Sequence, residues 1–249
     1  MGGLRLALTL FTVAPLGVSR VDRGTARTAM AVAPLVGLLL GAVLAAAALG
    51  LRAAGASALV AAAATVALSA LCTRALHLDG LADTADGLGS YQGSEKALEI
   101  MKKSDIGPFG VVAIAAVLLL DASALTSVYS HPWPTALALV AAGAAAGRLG
   151  ATIACRSGLP AARPDGLGAL VAETLPRPIV MLITLLVAAA GAALAGPVRG
   201  PLAVLLAAGV AWALTLHARR RLGGVTGDVI GACVELATMT AWLVLSTTP

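Results

Sequence analysis

Charge is scarce in this chain: Asp, Glu, Lys and Arg make up 12% of its 249 residues, about half the share that a soluble domain carries. That scarcity excludes an ordinary soluble domain. With 59% hydrophobic residues and a mean hydropathy of +0.95, the lipid bilayer is the solvent to which the fold must answer. Aromatics are also few, at 3%. A formal charge of +5 and a pI near 9.6 therefore do not point to nucleic acid, because no basic stripe is interleaved with stacking rings. The three cysteines, Cys72, Cys155 and Cys233, are far apart and odd in number. They lack the short spacing of metal or redox sites and read as small core residues. No internal repeat, soluble segment or low-complexity tail is visible, so residues 1–249 are expected to form a single membrane-embedded domain.

What is present is a set of apolar runs. A helix needs about 20 mostly apolar residues to cross the hydrocarbon, and seven stretches approach that length, near 30–51, 56–72, 107–129, 135–155, 179–196, 201–217 and 229–247. The fold class that follows is all-α: a polytopic transmembrane helical bundle of about seven spans, with six to eight allowed by the short, Ala-rich boundaries. Gly37 with Gly41, and Gly143 with Gly147, have the small-xxx-small spacing that lets helix backbones approach in lipid. Arg5 and the apolar run to Val18 resemble a secretory signal, but Arg20, Arg23 and Arg27 follow the run and no small-x-small cleavage site does. An interfacial or re-entrant helix is expected there instead.

Orientation follows from the cations. Fourteen of the 17 Lys and Arg residues fall on the side of the N-terminus: Arg5, Arg20, Arg23, Arg27, Arg74, Lys96, Lys102, Lys103, Arg156, Arg163, Arg177, Arg219, Arg220 and Arg221. Arg52 and Arg199 fall on the other side, and Arg148 lies inside a span. The N-terminus is thus expected in the cytoplasm and the C-terminus outside. The longer connections, 73–106, 156–178 and 218–228, all lie on the inner side and hold nearly all the unusual polar residues. A multi-pass protein of the cell membrane, with its active site at the cytoplasmic face, is the expectation.

The segment from His77 to Gly87, His-Leu-Asp-Gly-Leu-Ala-Asp-Thr-Ala-Asp-Gly, carries the strongest chemical signal. On a helix Asp83 and Asp86 follow Asp79 by four and seven residues, so the three carboxylates share a face. Three like charges repel unless a cation binds, and all-oxygen ligands favour a hard ion such as Mg²⁺. Turn-forming aspartates in a solvated loop are the plainer alternative. Gly80 and Gly87 weaken the helix but leave space for a phosphate to approach the backbone. His77 lies about 160° around the helix from Asp79 and reads as a structural hydrogen-bonder.

Further along, Lys102, Lys103, Ser104 and Asp105 precede a Gly-Pro turn into the next span. Such a turn can present N–H groups to phosphate, although the lysines also suit simple anchoring. The Arg163-Pro164-Asp165-Gly166 turn is a weaker candidate by itself. Thr226 and Asp228 open the last span, with Glu235 two turns deeper; an acid at that depth is functional by default unless it pairs with Arg148. Asp121, inside the third span, has no evident partner.

Taken in order, His77–Gly87, Ala97–Lys102, Ala162–Gly168 and Gly223–Glu235 make the chain resemble the cobalamin synthase family, the adenosylcobinamide-GDP ribazoletransferases, over nearly its whole length. Two departures stand out. The family usually has an acid at Lys103 and a base at Asp105, and an Arg that it carries near Phe11–Pro15 is missing here.

The resemblance implies a reaction in which the ribose hydroxyl of α-ribazole, or of its 5′-phosphate, attacks the cobinamide-side phosphorus of adenosylcobinamide-GDP. The products are adenosylcobalamin, or its 5′-phosphate, and GMP. It implies Mg²⁺ on Asp79, Asp83 and Asp86, with Asp228 or one Asp of the cluster as general base. Lys102 and Arg163 would meet the phosphates, and Gly80, Gly87, Ser104, Asp105, Asp165, Thr226 and Glu235 would complete the substrate site. A homo-oligomer is left open. Two rival readings are a CDP-alcohol phosphatidyltransferase, whose DG…AR…G…D…D signature is broken here because Ala82 precedes Asp83, and a cation-coupled transporter.

Overall fold

The computed structural model describes residues 2–17 and 21–247; Arg20, counted above among the inner cations, lies outside them. The described chain forms eleven helices: α1 Gly2–Phe11, α2 Arg23–Ala53, α3 Ala58–Cys72, α4 Leu76–Gly89, α5 Ser94–Ile100, α6 Pro108–Val128, α7 Trp133–Ala154, α8 Gly166–Val171, α9 Arg177–Ala195, α10 Arg199–Leu222 and α11 Gly227–Ser246. Among the described residues the only β pairing is two isolated bridges, Arg156 with Leu175 and Ala161 with Val225.

Six helices, α2, α6, α7, α9, α10 and α11, are long and apolar enough to cross a membrane. The seventh expected span is only half regular. Helix α3 is apolar but short, and α4 leaves it at 88°. The bend sits at Arg74 and Ala75, both in left-handed backbone at φ 57° and 52°, a conformation unfavourable for non-glycine residues. Arg74 is held there by donating from Nη2 to the Thr9 carbonyl at 2.8 Å. We read α3 as the span and α4 as running outside it, so the segment 73–106, expected as a loop, is mostly two helices. At ten residues, α1 is too short to span and packs on α2, with Gly3 against Thr28.

Local chemistry sets the helix starts. Asp22 accepts from Thr25 N at α2, Ser57 from Val60 N at α3, and Thr226 from Val229 N at α11, each satisfying an N–H that the helix leaves orphaned. Prolines fall in the first two positions of α6, α7 and α9, where their missing N–H costs nothing.

Helix α7 is the axle of the bundle, buried throughout from Leu139 to Ala154, whereas α9 buries only Val180, Gly191 and Ala195. Its small residues make that possible. A Cβ on Gly37 or Gly41 would strike the α7 backbone at Ala144 or Ala141, and one on Gly143 or Gly147 would strike Trp242 or Thr238 of α11. Both glycine pairs thus lie in helix contacts, α2 on α7 and α7 on α11.

Candidate active site

All four polar segments gather at one end of the bundle, tied together largely by arginines. Arg163 donates from Nη2 to the Leu98 carbonyl at 2.7 Å, Arg221 to that of Gln92 at 3.2 Å, and Arg23 to those of Ala169 and Ala172 at 2.8 and 2.7 Å. The bridge between Ala161 and Val225 joins the third segment to the fourth.

Two cavities open there. The larger, about 370 Å³, is lined by Asp79, Lys102, Arg163, Asp165, Thr226 and Asp228, with Leu10, Phe11 and Met30 as an apolar wall. The smaller, about 310 Å³, is lined by Asp79, Asp83, Lys102, Lys103, Ser104 and Asp105. Asp79 and Lys102 line both.

Side chains between the segments pair by charge. Arg163 Nη1 is 3.6 Å from Asp228 Oδ2 and Lys102 Nζ is 4.0 Å from Asp165 Oδ2. Thr226 Oγ1 donates to Asp228 Oδ2 at 3.1 Å. The Nε of Arg163 is buried and has no hydrogen-bond partner, an unspent donor on a cation facing the larger cavity. On α4, burial above all, followed by the charges of Asp79, Asp228 and Asp86, pushes the Asp83 carboxyl up to about 7, with Arg163 opposing.

Several expectations are corrected by this geometry. Asp86 is turned away from the cavities: its Oδ2 accepts from Gly107 N at 2.7 Å and its Oδ1 from Gly110 N at 2.9 Å, so it caps α6. Among the described residues no three His, Cys, Asp or Glu side chains converge in a group fit for a metal ion, so the expected three-carboxylate set is not assembled. The space expected beside Gly80 and Gly87 is filled by protein. A Cβ on Gly80 would lie 2.7 Å from the Asp228 carbonyl oxygen, and one on Gly87 would strike the Met101 side chain.

Glu235 lines neither cavity and borders a small void within the spans together with Arg148 and Asp121, where Asp121 Oδ1 and Arg148 Nε are buried without a hydrogen-bond partner. Lys103 and Asp105 share a cavity wall but form no ion pair among the described residues. His77 stacks on Phe11 at 5.5 Å between centroids, and its Nδ1 is buried without a partner; the expected structural hydrogen bond from that atom is absent. The apolar wall from α1 and α2 was not expected. Its one signal was the apolar run of the N-terminal segment.

Residues 3–246 match the family described as cobalamin-5-phosphate synthase. The chain belongs to that family. A relative from Frankia casuarinae, named adenosylcobinamide-GDP ribazoletransferase, is 42% identical over an alignment covering 98% of this chain and 94% of its own. Relatives of the same name from Nocardioides sp. and Stutzerimonas stutzeri are 40% and 46% identical, covering 96% and 82% of this chain and 96% and 80% of theirs. No solved structure matches. Membership of the cobalamin-5-phosphate synthases favours neither the phosphatidyltransferase nor the transporter reading, and the apolar helices make the chain a multi-pass membrane protein.

Proposed function

We propose that this chain joins α-ribazole, or its 5′-phosphate, to the cobinamide phosphate of adenosylcobinamide-GDP, releasing GMP. One observation carries the reading to the site: Asp79 and Lys102 line both cavities, so two bound reactants would meet at the wall those residues form. The diphosphate is placed against Lys102 and Arg163, where the unpartnered Nε of Arg163 offers a charge-assisted donor to a phosphate oxygen. The apolar wall of Leu10, Phe11 and Met30 suits the flat base of α-ribazole.

Mg²⁺ is commonly held by one or two carboxylates with substrate phosphates and water completing the shell. Asp79 and Asp83, sharing the smaller cavity, fit that pattern, and the repulsion from Asp79 that adds to burial in raising Asp83 is what a divalent cation would relieve. When bound, the ion neutralises phosphate charge in transfer and on the leaving group. Asp228 lines the larger cavity with Oδ2 engaged by Thr226 and Arg163, which directs Oδ1 to the ribose hydroxyl as general base. The ribose oxygen bonds to the cobinamide-side phosphorus, the bridging P–O bond breaks, the proton passes to Asp228, and GMP leaves. The gathering of cations and polar segments at one end supports a cytoplasmic position for this site and for the N-terminus.

Protein reconstituted in liposomes with Mg²⁺, adenosylcobinamide-GDP and α-ribazole is expected to yield adenosylcobalamin and GMP in equal amounts. GMP release at the same rate without α-ribazole would overturn the proposed transfer.

A further inference from the structure

A third concavity, about 470 Å³, lies on the outer surface between α9 and α10, away from the active-site cavities. Its walls are Met181, Leu185 and Leu205, each more than half exposed, with Trp212 and Gly209 on α10. The one hydroxyl in the wall, Thr184, donates to the Val180 carbonyl at 2.8 Å and asks nothing of a ligand. From Arg177 to Leu185 the groove follows α9 for about 12 Å, most of the roughly 15 Å of one hydrocarbon leaflet.

Its end nearest the active-site side is strongly positive. Arg177 and Arg156 line it, and Arg219 stands two turns beyond Trp212 on the same face of α10. Burial first, with the charges of Arg177 and Arg219 acting in the same direction and Cys233 opposing, pulls Arg156 down to about 10. Arg156 is locked in place, donating from Nη1 to Ile153 O and Thr215 Oγ1 and lying 3.8 Å over the Trp212 ring. Arg177 donates to Ser157 O at 3.2 Å. Among the described residues no carboxylate lies within 4.0 Å of any of the three, and the Glu173 carboxylate accepts from Gly158 N instead. Three guanidinium groups above an apolar channel of leaflet depth call for a ligand with an anionic head and a hydrocarbon chain.

We propose that this groove seats one anionic phospholipid from the leaflet on the active-site side, with an acyl chain along α9 and α10 and the phosphate against Arg177 and Arg219. Basic recesses between membrane helices bind anionic head groups in this way.

Native mass spectrometry of protein released from bilayers of equal phosphatidylcholine and phosphatidylglycerol tests the site. The wild-type chain is expected to retain one phosphatidylglycerol in preference to phosphatidylcholine. Arg177→Gln with Arg219→Gln should weaken that retention on the order of thirtyfold, about fivefold for each cation near the surface. Gly209→Leu, at a position where an added Cβ meets nothing within 4 Å, should fill the channel and also release the lipid. The charge-keeping change of both arginines to Lys should retain it, as should Arg52→Gln at the opposite end, which separates loss of charge from loss of fold. Equal retention of the two lipids by wild type would overturn the proposal. So would loss in the arginine variant with full retention in Gly209→Leu, which would mean surface attraction without a seated chain.

Discussion

Three aspartates on one helical face meet two different surroundings. Asp79 and Asp83 border the smaller cavity, whereas Asp86 spends both oxygens on the backbone of α6. Asp79→Asn and Asp83→Asn are therefore expected to lower kcat/KM by at least about 10³-fold, in line with removal of a charge from an electrostatic transfer site, and to raise the Mg²⁺ concentration needed for half activity. Asp86→Asn should instead show its main loss in stability, about 1–3 kcal/mol for a buried acceptor of N–H bonds, with little change in the Mg²⁺ requirement; Mg²⁺ titration beside thermal melting separates the cases. Asp83 also sets a pH dependence. Its carboxyl is raised from 3.8 to about 7, so the folded state binds the proton more tightly than the unfolded chain. The associated stability is full below about 4 and lost as pH rises through about 7. Melting of the Mg²⁺-free protein should fall across that window relative to Asp83→Asn, and saturating Mg²⁺ should flatten the difference. The shared face of these acids was legible from their spacing. The diversion of Asp86 was not, because its partners Gly107 and Gly110 lie 21 and 24 residues away and no local pattern records the approach of α6.

At the scale of elements, the active site depends on how closely α4 lies against α11. Gly80 meets the backbone of Asp228, and Gly231 meets that of His77, so the two helices touch at paired glycines just where the proposed base begins α11. Gly80→Ala would place a Cβ 2.7 Å from the Asp228 carbonyl oxygen and push the helices apart. A displacement of about 1 Å costs on the order of 10²-fold in rate, so kcat should fall by about that factor while the protein still inserts. Gly93→Ala, with nothing within 4 Å of its Cβ, should be neutral. Measured kcat for the two variants checks this, and equal activities would dissociate the helix contact from catalysis. The long helices were legible because hydropathy over about 20 residues is a strong signal. The 88° turn into α4 was hidden, since Arg74 and Ala75 adopt left-handed backbone without the glycine that normally announces it.

Across the whole molecule, the number of crossings decides which side each end occupies, and α3 is the helix on which that number turns. Its 15 residues span about 22 Å, short of the roughly 30 Å hydrocarbon thickness, a gap that local thinning or a tethered neighbour can absorb. Helix α3 packs against both α2 and α6, and its Thr65 hydroxyl shares a buried 2.6 Å hydrogen bond with the Tyr129 hydroxyl at the far end of α6. The N-terminal part of α3 thus reaches the side opposite the active site, which argues for a full crossing and seven spans in total. An odd number puts the C-terminus outside if the cation-rich face is cytoplasmic. Single cysteines introduced by Ser94→Cys, at the start of α5, and Ser246→Cys, at the end of α11, after Cys72, Cys155 and Cys233 are replaced, report the two faces. Impermeant maleimide added to intact cells is expected to label position 246 and to reach position 94 only after the membrane is opened. With the amino terminus cytoplasmic, labelling of position 94 in intact cells and protection of position 246 would make α3 with α4 a re-entrant hairpin, whereas labelling of both positions from the same side would mean that an odd number of the five helices α6, α7, α9, α10 and α11 fails to cross.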